Sequence, residues 1–163
     1  MKTYTDEEIR TLISCVKKVH DPPRKTMKEV HGSLRNDMLL KSLDDKLSFR
    51  VFMRINQKFE ENFCIGLEYV PADEPGSIIL LRYNGPHGEH VSCPHHVYHH
   101  IHTASAECIN AGLKPERNVT RAENYAAFKE ALWEFLKTIH LTDAATHFPA
   151  EFQMTLWATE EKQ

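Results

Sequence analysis

The sequence lacks the features that mark secreted or membrane-spanning chains. Its four cysteines are scattered, and no two of them are separated by only two residues. This arrangement predicts free thiols in a reducing compartment instead of a disulfide framework. No apolar run approaches the roughly 20 residues of a membrane span, and the N-terminus lacks the apolar stretch of a signal peptide. We therefore expect a cytoplasmic protein that does not contact a membrane.

An excess of positive charge is also missing. Lysine and arginine number 20 against 23 aspartate and glutamate residues, so the formal net charge is −3 with histidine neutral. That balance argues against a non-specific coat of nucleic acid but leaves room for a local basic cleft. The length of 163 residues and the hydrophobic fraction of 41% fit one globular domain.

Histidine, in contrast, is concentrated in one stretch. Residues 85–102 hold seven of the eleven histidines of the chain. Imidazole has an unperturbed pKa near neutrality and is the commonest metal ligand in proteins. Any one of these histidines, taken singly, is more often structural than functional. Their number in one stretch predicts a site for proton transfer, metal ligation or anion binding.

Alternation of apolar and polar residues predicts the first strands of a sheet. It occurs over 47–56 and 63–70, and residues 77–84 form a third predicted strand that is apolar on both faces until Arg82; short turns would join the three into an antiparallel meander. In the first of these strands, Arg50 and Arg54 share one face.

A fourth strand is predicted at residues 95–103, because valine, tyrosine, isoleucine and threonine favour strands and a proline precedes the run. As a strand it would present four polar rings on one face: His96, Tyr98, His100 and His102. The alternative is a helix, in which His95 would instead lie next to His99.

Together these elements predict a single α+β domain over residues 1–163, with an antiparallel sheet of about four or five strands. An N-terminal helix and a C-terminal amphipathic helix are expected to pack on one face of the sheet. The predicted segments are an N-terminal helical segment (1–46), the sheet with the histidine run (47–103), a helix (120–140) and a docked tail (142–163).

Local signals support the helices and the tail. Capping boxes begin at Thr5 and Thr120, each with a glutamate three residues later, and predict the two helix starts. The tail carries enough apolar surface to dock on the domain, in Phe148, Phe152, Leu156 and Trp157.

The first functional hypothesis is a metal-independent ribonuclease, which needs no cofactor. Two histidines of near-neutral pKa can transfer the protons of RNA cleavage, while cations stabilise the charge on phosphorus. Residues two apart on a strand share a face. The predicted catalytic residues are therefore His100 and His102, with His96 in reserve and Arg82 on the phosphate. The predicted substrate-binding residues are Arg50, Arg54, Tyr98, Lys114 and Arg117.

The second hypothesis is a zinc or other transition-metal site. Nitrogen and sulfur ligands recur at short spacings, and the predicted ligands are His87, His90, Cys93 and His96. The stretch contains no HExxH motif, and its one acid, Glu89, supplies too few oxygen ligands for magnesium. A third alternative is a non-catalytic subunit or antitoxin whose histidine face contacts protein or nucleic acid.

Three short motifs carry a resemblance to a known family: Asn84-Gly85-Pro86-His87, Pro94-His95-His96 and His100-Ile101-His102. With the arginine-bearing strand before them and the helix after them, they resemble small bacterial proteins of toxin–antitoxin or defence operons, the TumE-type toxins. The resemblance covers about residues 47–140. It implies a toxin-like or defence-associated role acting on RNA, with a cognate antitoxin or partner protein.

Overall fold

The structure, a computed structural model, describes residues 2–88 and 91–148. It confirms the predicted α+β class and the antiparallel sheet, but the described part of the chain holds eight strands instead of four or five. The strands are β1 (Lys17–Asp21), β2 (Lys28–Val30), β3 (Ser33–Ser42), β4 (Ser48–Asn56), β5 (Phe63–Val70), β6 (Ile78–Asn84), β7 (His100–Thr103) and β8 (Asn118–Arg121).

Four α-helices lie within the same described ranges. They are α1 (Asp6–Ser14), α2 (Ala106–Asn110), α3 (Phe128–Thr138) and α4 (Ala144–His147), and a 3₁₀ turn (Pro94–Val97) precedes β7. None of them is long and apolar enough to cross a membrane.

The sheet follows the order β1, β3, β4, β5, β6, β7, β8, and β2 also pairs with β3. Both β1 and β2 lie along the outer edge of β3, where β2 pairs with residues 33–35 and β1 with residues 39–42. All of these strand pairs are antiparallel.

Strand β4 shows why the sheet has one apolar and one polar face. Phe49, Val51 and Met53 are buried on one side, and Arg50 and Arg54 alternate with them on the other. The pairing register carries this division across the sheet, because directly opposite residues share a face. The apolar face packs against α1 and α3 and forms the core. The polar face carries the histidines of β7.

The C-terminal helix docks on the apolar face, as the sequence predicts. Leu132 and Phe135 of α3 are fully buried, and Phe135 packs edge-on against Tyr83. Phe128, the first residue of α3, is only partly buried, although its ring meets Phe63 edge-on at 5.7 Å.

The prediction of a helical segment over 1–46 is wrong beyond Ser14. The capping box at Thr5 forms as expected, but α1 lasts only nine residues. The chain then continues into β1, β2 and β3. In β3, Met38 and Leu40 are buried at a spacing of two residues. That period is the period of a strand, and β4 supplies the backbone partners that make the strand stable.

The prediction that a helix starts at Thr120 is also wrong. Thr120 lies in β8 opposite Ile101, and α3 begins only at Phe128, with Ala127 as its N-cap. Pairing with β7 satisfies the backbone of this segment and outweighs the local capping signal. In the predicted tail, α4 and the buried Phe148 dock on the domain. Phe152, Leu156 and Trp157 lie outside the described residues.

Lys17 joins the ends of two helices. Its Nζ donates hydrogen bonds to the carbonyl oxygens of Ile13 (2.7 Å), Cys15 (2.8 Å) and Ile139 (3.1 Å). The side chain is fully buried, and this burial lowers the pKa of Lys17 to about 8. The cation thus satisfies carbonyls at the C-terminal ends of α1 and α3, where positive charge is favoured.

We expect the substitution Phe135→Ala to lower the free energy of unfolding by about 3–5 kcal/mol, because it empties a fully buried site between α3 and the sheet. Urea denaturation measures the loss. Phe59→Ala is the matched control, since Phe59 is 60% exposed and its truncation should change stability by less than about 0.5 kcal/mol. Equal effects of the two substitutions would contradict the docking of α3.

Candidate functional site

The pairing of β7 with β6 builds the polar face around the histidines. His102 lies opposite Arg82, and His100 lies opposite Asn84. Because directly opposite residues share a face, both imidazoles stand on the side of the sheet that carries the arginines. This is the juxtaposition that the His-x-His spacing predicts for a strand. His99 lies outside this group, since its ring packs against Phe63 and Tyr125.

The residues before β7 form a turn instead of the predicted continuous strand over 95–103. Pro94 occupies the first turn of the 3₁₀ segment, where its missing N–H costs nothing. The backbone N–H of His96 donates to Cys93, and that of Tyr98 donates to His95. As a result, His96 and Tyr98 do not share a strand face with His100 and His102.

The turn brings His95 over the two strand histidines. The centroid of the His95 ring lies 4.9 Å from that of His100 and 5.3 Å from that of His102. One ring nitrogen of each of these three residues lies within 4.8 Å of the other two. We call His95, His100 and His102 the histidine triad.

Backbone carbonyls orient two rings of the triad. Nδ1 of His100 lies 2.8 Å from the carbonyl oxygen of Tyr98, and Nδ1 of His102 lies 3.0 Å from that of Glu116. A carbonyl only accepts, so both Nδ1 atoms carry the proton and donate. The lone pair of each ring therefore resides on Nε2, away from the backbone.

His87 contacts the triad from the preceding loop. Its Nε2 lies 3.4 Å from Nε2 of His100. Two nitrogen ligands of one tetrahedral zinc ion stand about 3.3 Å apart, given zinc–nitrogen bonds of about 2.0–2.1 Å. The separation is thus the one that metal ligation would require of this pair.

Two other predicted metal ligands, Cys93 and His96, lie close to the histidine triad. Cys93 and His96 form a second group with His95, again with ligand atoms within 4.8 Å of one another. The ring of His87 lies 3.9 Å from that of His96. His90, the remaining predicted ligand, lies outside the described residues. His95 belongs to both groups, although the sequence-based ligand set omitted it.

Burial keeps the histidines of the site neutral. It lowers the pKa of His87 and His100 to about 4 and that of His102 to about 3. Neighbouring cations act in the same direction, and Arg82 is the strongest of them on His102. The pKa of His95 is also lowered, by burial first and then by Lys114 and Arg82.

Glu116 is the one buried carboxylate near the triad in the described part of the chain, and it is absent from the residues that the sequence predicts for the site. It is 1% exposed; its Oε1 lies 3.2 Å from Nε of Arg82 and 3.5 Å from Nζ of Lys114. The Arg82 Nε is too poorly aligned with Oε1 for a hydrogen bond, and within the described residues neither this Nε nor Oε2 of Glu116 has a hydrogen-bond partner. Glu116 holds Arg82 beside His102, and a single carboxylate in a charged loop gave no signal of that burial.

The other predicted substrate-binding residues differ in their distance from the triad. Arg50 pairs with Glu68 and Asp37 further along the polar face, while Arg54 donates to the side chain of Asn62. Tyr98 lies beside Arg121, whose guanidinium is 4.9 Å from the ring centroid. Arg117 is exposed, and within the described residues no side-chain contact links it to the triad.

A cleft of about 760 Å³ runs along the polar face and reaches His87. Six cations line it: Arg24, Lys28, Arg35, Arg50, Arg54 and Arg82. The site therefore combines neutral imidazoles at one end with a surface suited to anions.

Comparisons with models of known protein families, with curated proteins and with solved structures found no match.

We expect metal-free protein to lose stability as the pH falls from about 6.5 towards 4. In that window the unfolded histidines bind protons, with a pKa of about 6.5, while the folded ones stay neutral. Each such proton lowers the free energy of unfolding by about 1 kcal/mol per pH unit. Urea denaturation in chelator at about pH 7 and pH 5 measures the slope.

The variant His102→Gln removes one of these protons and should flatten the slope, whereas His20→Gln, an exposed position, should leave the slope as it is. A His102→Gln variant with an undiminished slope would show that His102 titrates normally in the folded protein.

Proposed function

We propose that this protein binds a transition-metal ion, zinc foremost, through the histidine triad. The observation that carries the proposal is the convergence of three ring nitrogens within 4.8 Å of one another. Imidazole nitrogen is a ligand for zinc, copper, nickel and iron, whereas magnesium and calcium prefer oxygen.

The surroundings of the triad support this proposal. Metal-bound histidines commonly donate their other ring N–H to a backbone carbonyl, which fixes the tautomer and the orientation of the ring. His100 and His102 both make that bond. Ligation requires the neutral form, which burial favours for both rings. A metal ion on Nε2 of His100 would replace the hydrogen bond that this atom accepts from Nε2 of His87.

Three nitrogen ligands leave a fourth position of a tetrahedral ion for water or substrate. That arrangement is typical of catalytic zinc, which lowers the pKa of its bound water to about 7. Nε2 of His87 lies 3.4 Å from Nε2 of His100, and Arg82 lies opposite His102. The geometry therefore supports a hydrolytic centre that acts on an anionic substrate.

Metal analysis of protein made without a histidine tag tests the proposal. After dialysis we expect one zinc ion per chain, and we expect His100→Ala and His102→Ala to weaken binding by more than roughly 100-fold through loss of a ligand. His20→Ala is the control, because this histidine is exposed on β1.

Cobalt substitution distinguishes ligation by the histidine triad from ligation by the group of Cys93, His95 and His96. Ligation by the triad involves nitrogen alone, so cobalt-loaded protein should lack the intense near-ultraviolet charge-transfer band of a thiolate ligand, and Cys93→Ser should bind as the wild type does. Untagged protein that takes up no metal, or His102→Ala protein with full affinity, would refute the proposal.

A second candidate is the metal-independent ribonuclease of toxin type. It is favoured by the placement of His100, His102 and Arg82 on one face of the sheet. It is disfavoured by the lowered pKa of both histidines, because a general acid must carry a proton near neutral pH. A toxin role, an antitoxin partner and a cytoplasmic setting belong to this second candidate.

Cleavage of RNA in the presence of chelator decides between the two. If the metal-independent mechanism operates, activity persists in chelator with a bell-shaped pH profile, and Arg82→Ala and His102→Ala each lower it by orders of magnitude. Our account predicts loss of activity in chelator and recovery when zinc is added. Growth arrest on expression, with thermal melting as the folding control, tests the toxin role.

A further inference from the structure

Three cations lie side by side at the end of the polar face remote from the histidines. Lys28 of β2 lies opposite Arg35 of β3, and Arg35 lies opposite Arg54 of β4. Like charges directly opposite one another destabilise a sheet. None of the three forms an ion pair with any residue that the structure describes, and the cleft acids Asp37 and Glu68 both pair with Arg50. This charge arrangement therefore opposes folding and suits an anion.

The same register continues to the histidine triad. The opposed residues in successive strands are Lys28, Arg35, Arg54, Cys64, Asn84 and His100. Five inter-strand steps of about 4.8 Å give a row of about 24 Å. A stacked single strand of nucleic acid has a phosphate about every 3.4 Å, so roughly seven nucleotides span this distance.

An aromatic ring lies in the basic cleft. Phe52 is half-buried and belongs to the polar face, opposite Gly66. A Cβ atom at Gly66 would stand only 2.1 Å from the Phe52 ring, so the glycine permits the ring to lie against the strand. One side of the ring covers the backbone, and the ring lines the cleft. Aromatic rings in a basic groove are the platforms on which single-strand-binding proteins stack bases.

A buried hydrogen-bond donor faces the same cleft. Asn84 is 3% exposed and lines the same cleft as Arg54 and Arg82, yet its side-chain Nδ2 has no hydrogen-bond partner among the residues that the structure describes. An unpaired buried donor costs free energy that an acceptor oxygen would restore. A phosphate in the cleft supplies such oxygens next to His100.

We propose that the cleft binds single-stranded nucleic acid across the strands, with phosphates on Arg35 and Arg54, a base on Phe52 and the backbone leading to His100. A single strand leaves its bases free to stack on Phe52, whereas a duplex does not. The cations and the ring act without a metal ion, so this binding does not rest on the metal proposal.

Fluorescence anisotropy in chelator tests the inference, with labelled RNA and DNA oligonucleotides of about ten nucleotides and the same sequence. We expect the double variant Arg35→Gln/Arg54→Gln to reduce the slope of log affinity against log salt by about 1.4, because each phosphate contact contributes about 0.7. The matched control is Arg10→Gln/Lys46→Gln, in which both replaced cations are exposed away from the cleft. This control should keep the wild-type slope.

Substitutions of Phe52 test the contribution of its ring separately from that of the cleft cations. We expect Phe52→Leu to weaken binding roughly tenfold or more and Phe52→Tyr to retain it, because only the tyrosine preserves stacking. Thermal melting confirms that each variant is folded. Stronger binding of RNA than of DNA, or equal binding of both, supports the inference.

Two results would overturn it. One is an equal salt slope in the cleft variant and the control variant. The other is a combined result: heparin competes as strongly as unlabelled oligonucleotide, and Phe52→Leu leaves the affinity unchanged. That combination would mean that the face attracts any polyanion. Loss of metal binding in the triad variants bears on neither result, because the assay is run in chelator.

Discussion

The site depends on the backbone pairing between β6 and β7. This register sets His102 opposite Arg82 and His100 opposite Asn84, and the period of two residues in a strand puts both imidazoles on one face. The carbonyl oxygens that accept from their Nδ1 atoms leave both Nε2 lone pairs free of the backbone, and one ring nitrogen of His95 lies within 4.8 Å of one nitrogen on each of these rings. A slip of the register by one residue would move both rings to the apolar face, where they would meet α1 and α3 instead of the arginines.

Strong two-residue periodicity made part of the fold predictable. Strand β4 alternates along its length, whereas β5 and β6 are short, largely apolar runs bounded by turns, and the sequence places all three within a residue or two. The edges of the sheet were not predictable for a different reason. Strand β8 is short, largely exposed and preceded by no apolar period, and it exists because β7 offers it backbone partners. Tertiary pairing of this kind leaves little trace in local sequence.

Part of the site was likewise predictable from the sequence and part was not. The two-residue spacing of His100 and His102 predicted that both side chains lie on one face of a strand. The strand predicted over residues 77–84 contains Arg82, which lies on the same face. The position of His95 over the triad depends on a 3₁₀ turn that begins at Pro94, and the predicted strand would have placed this ring elsewhere. The burial of Glu116 likewise depends on the loop that follows α2. Both features come from how connecting segments fold back on the sheet, which residue spacing alone does not specify.

The central claim is that one metal ion binds one ring nitrogen of each residue of the histidine triad, through Nε2 in His100 and His102. Anomalous diffraction from crystals of zinc-loaded protein, recorded at and below the zinc edge, tests it most directly. The account predicts one zinc peak per chain, with nitrogen atoms of His95, His100 and His102 at about 2.0–2.1 Å. A zinc peak bound through Cys93 Sγ, or no peak within reach of His100 and His102, would contradict it.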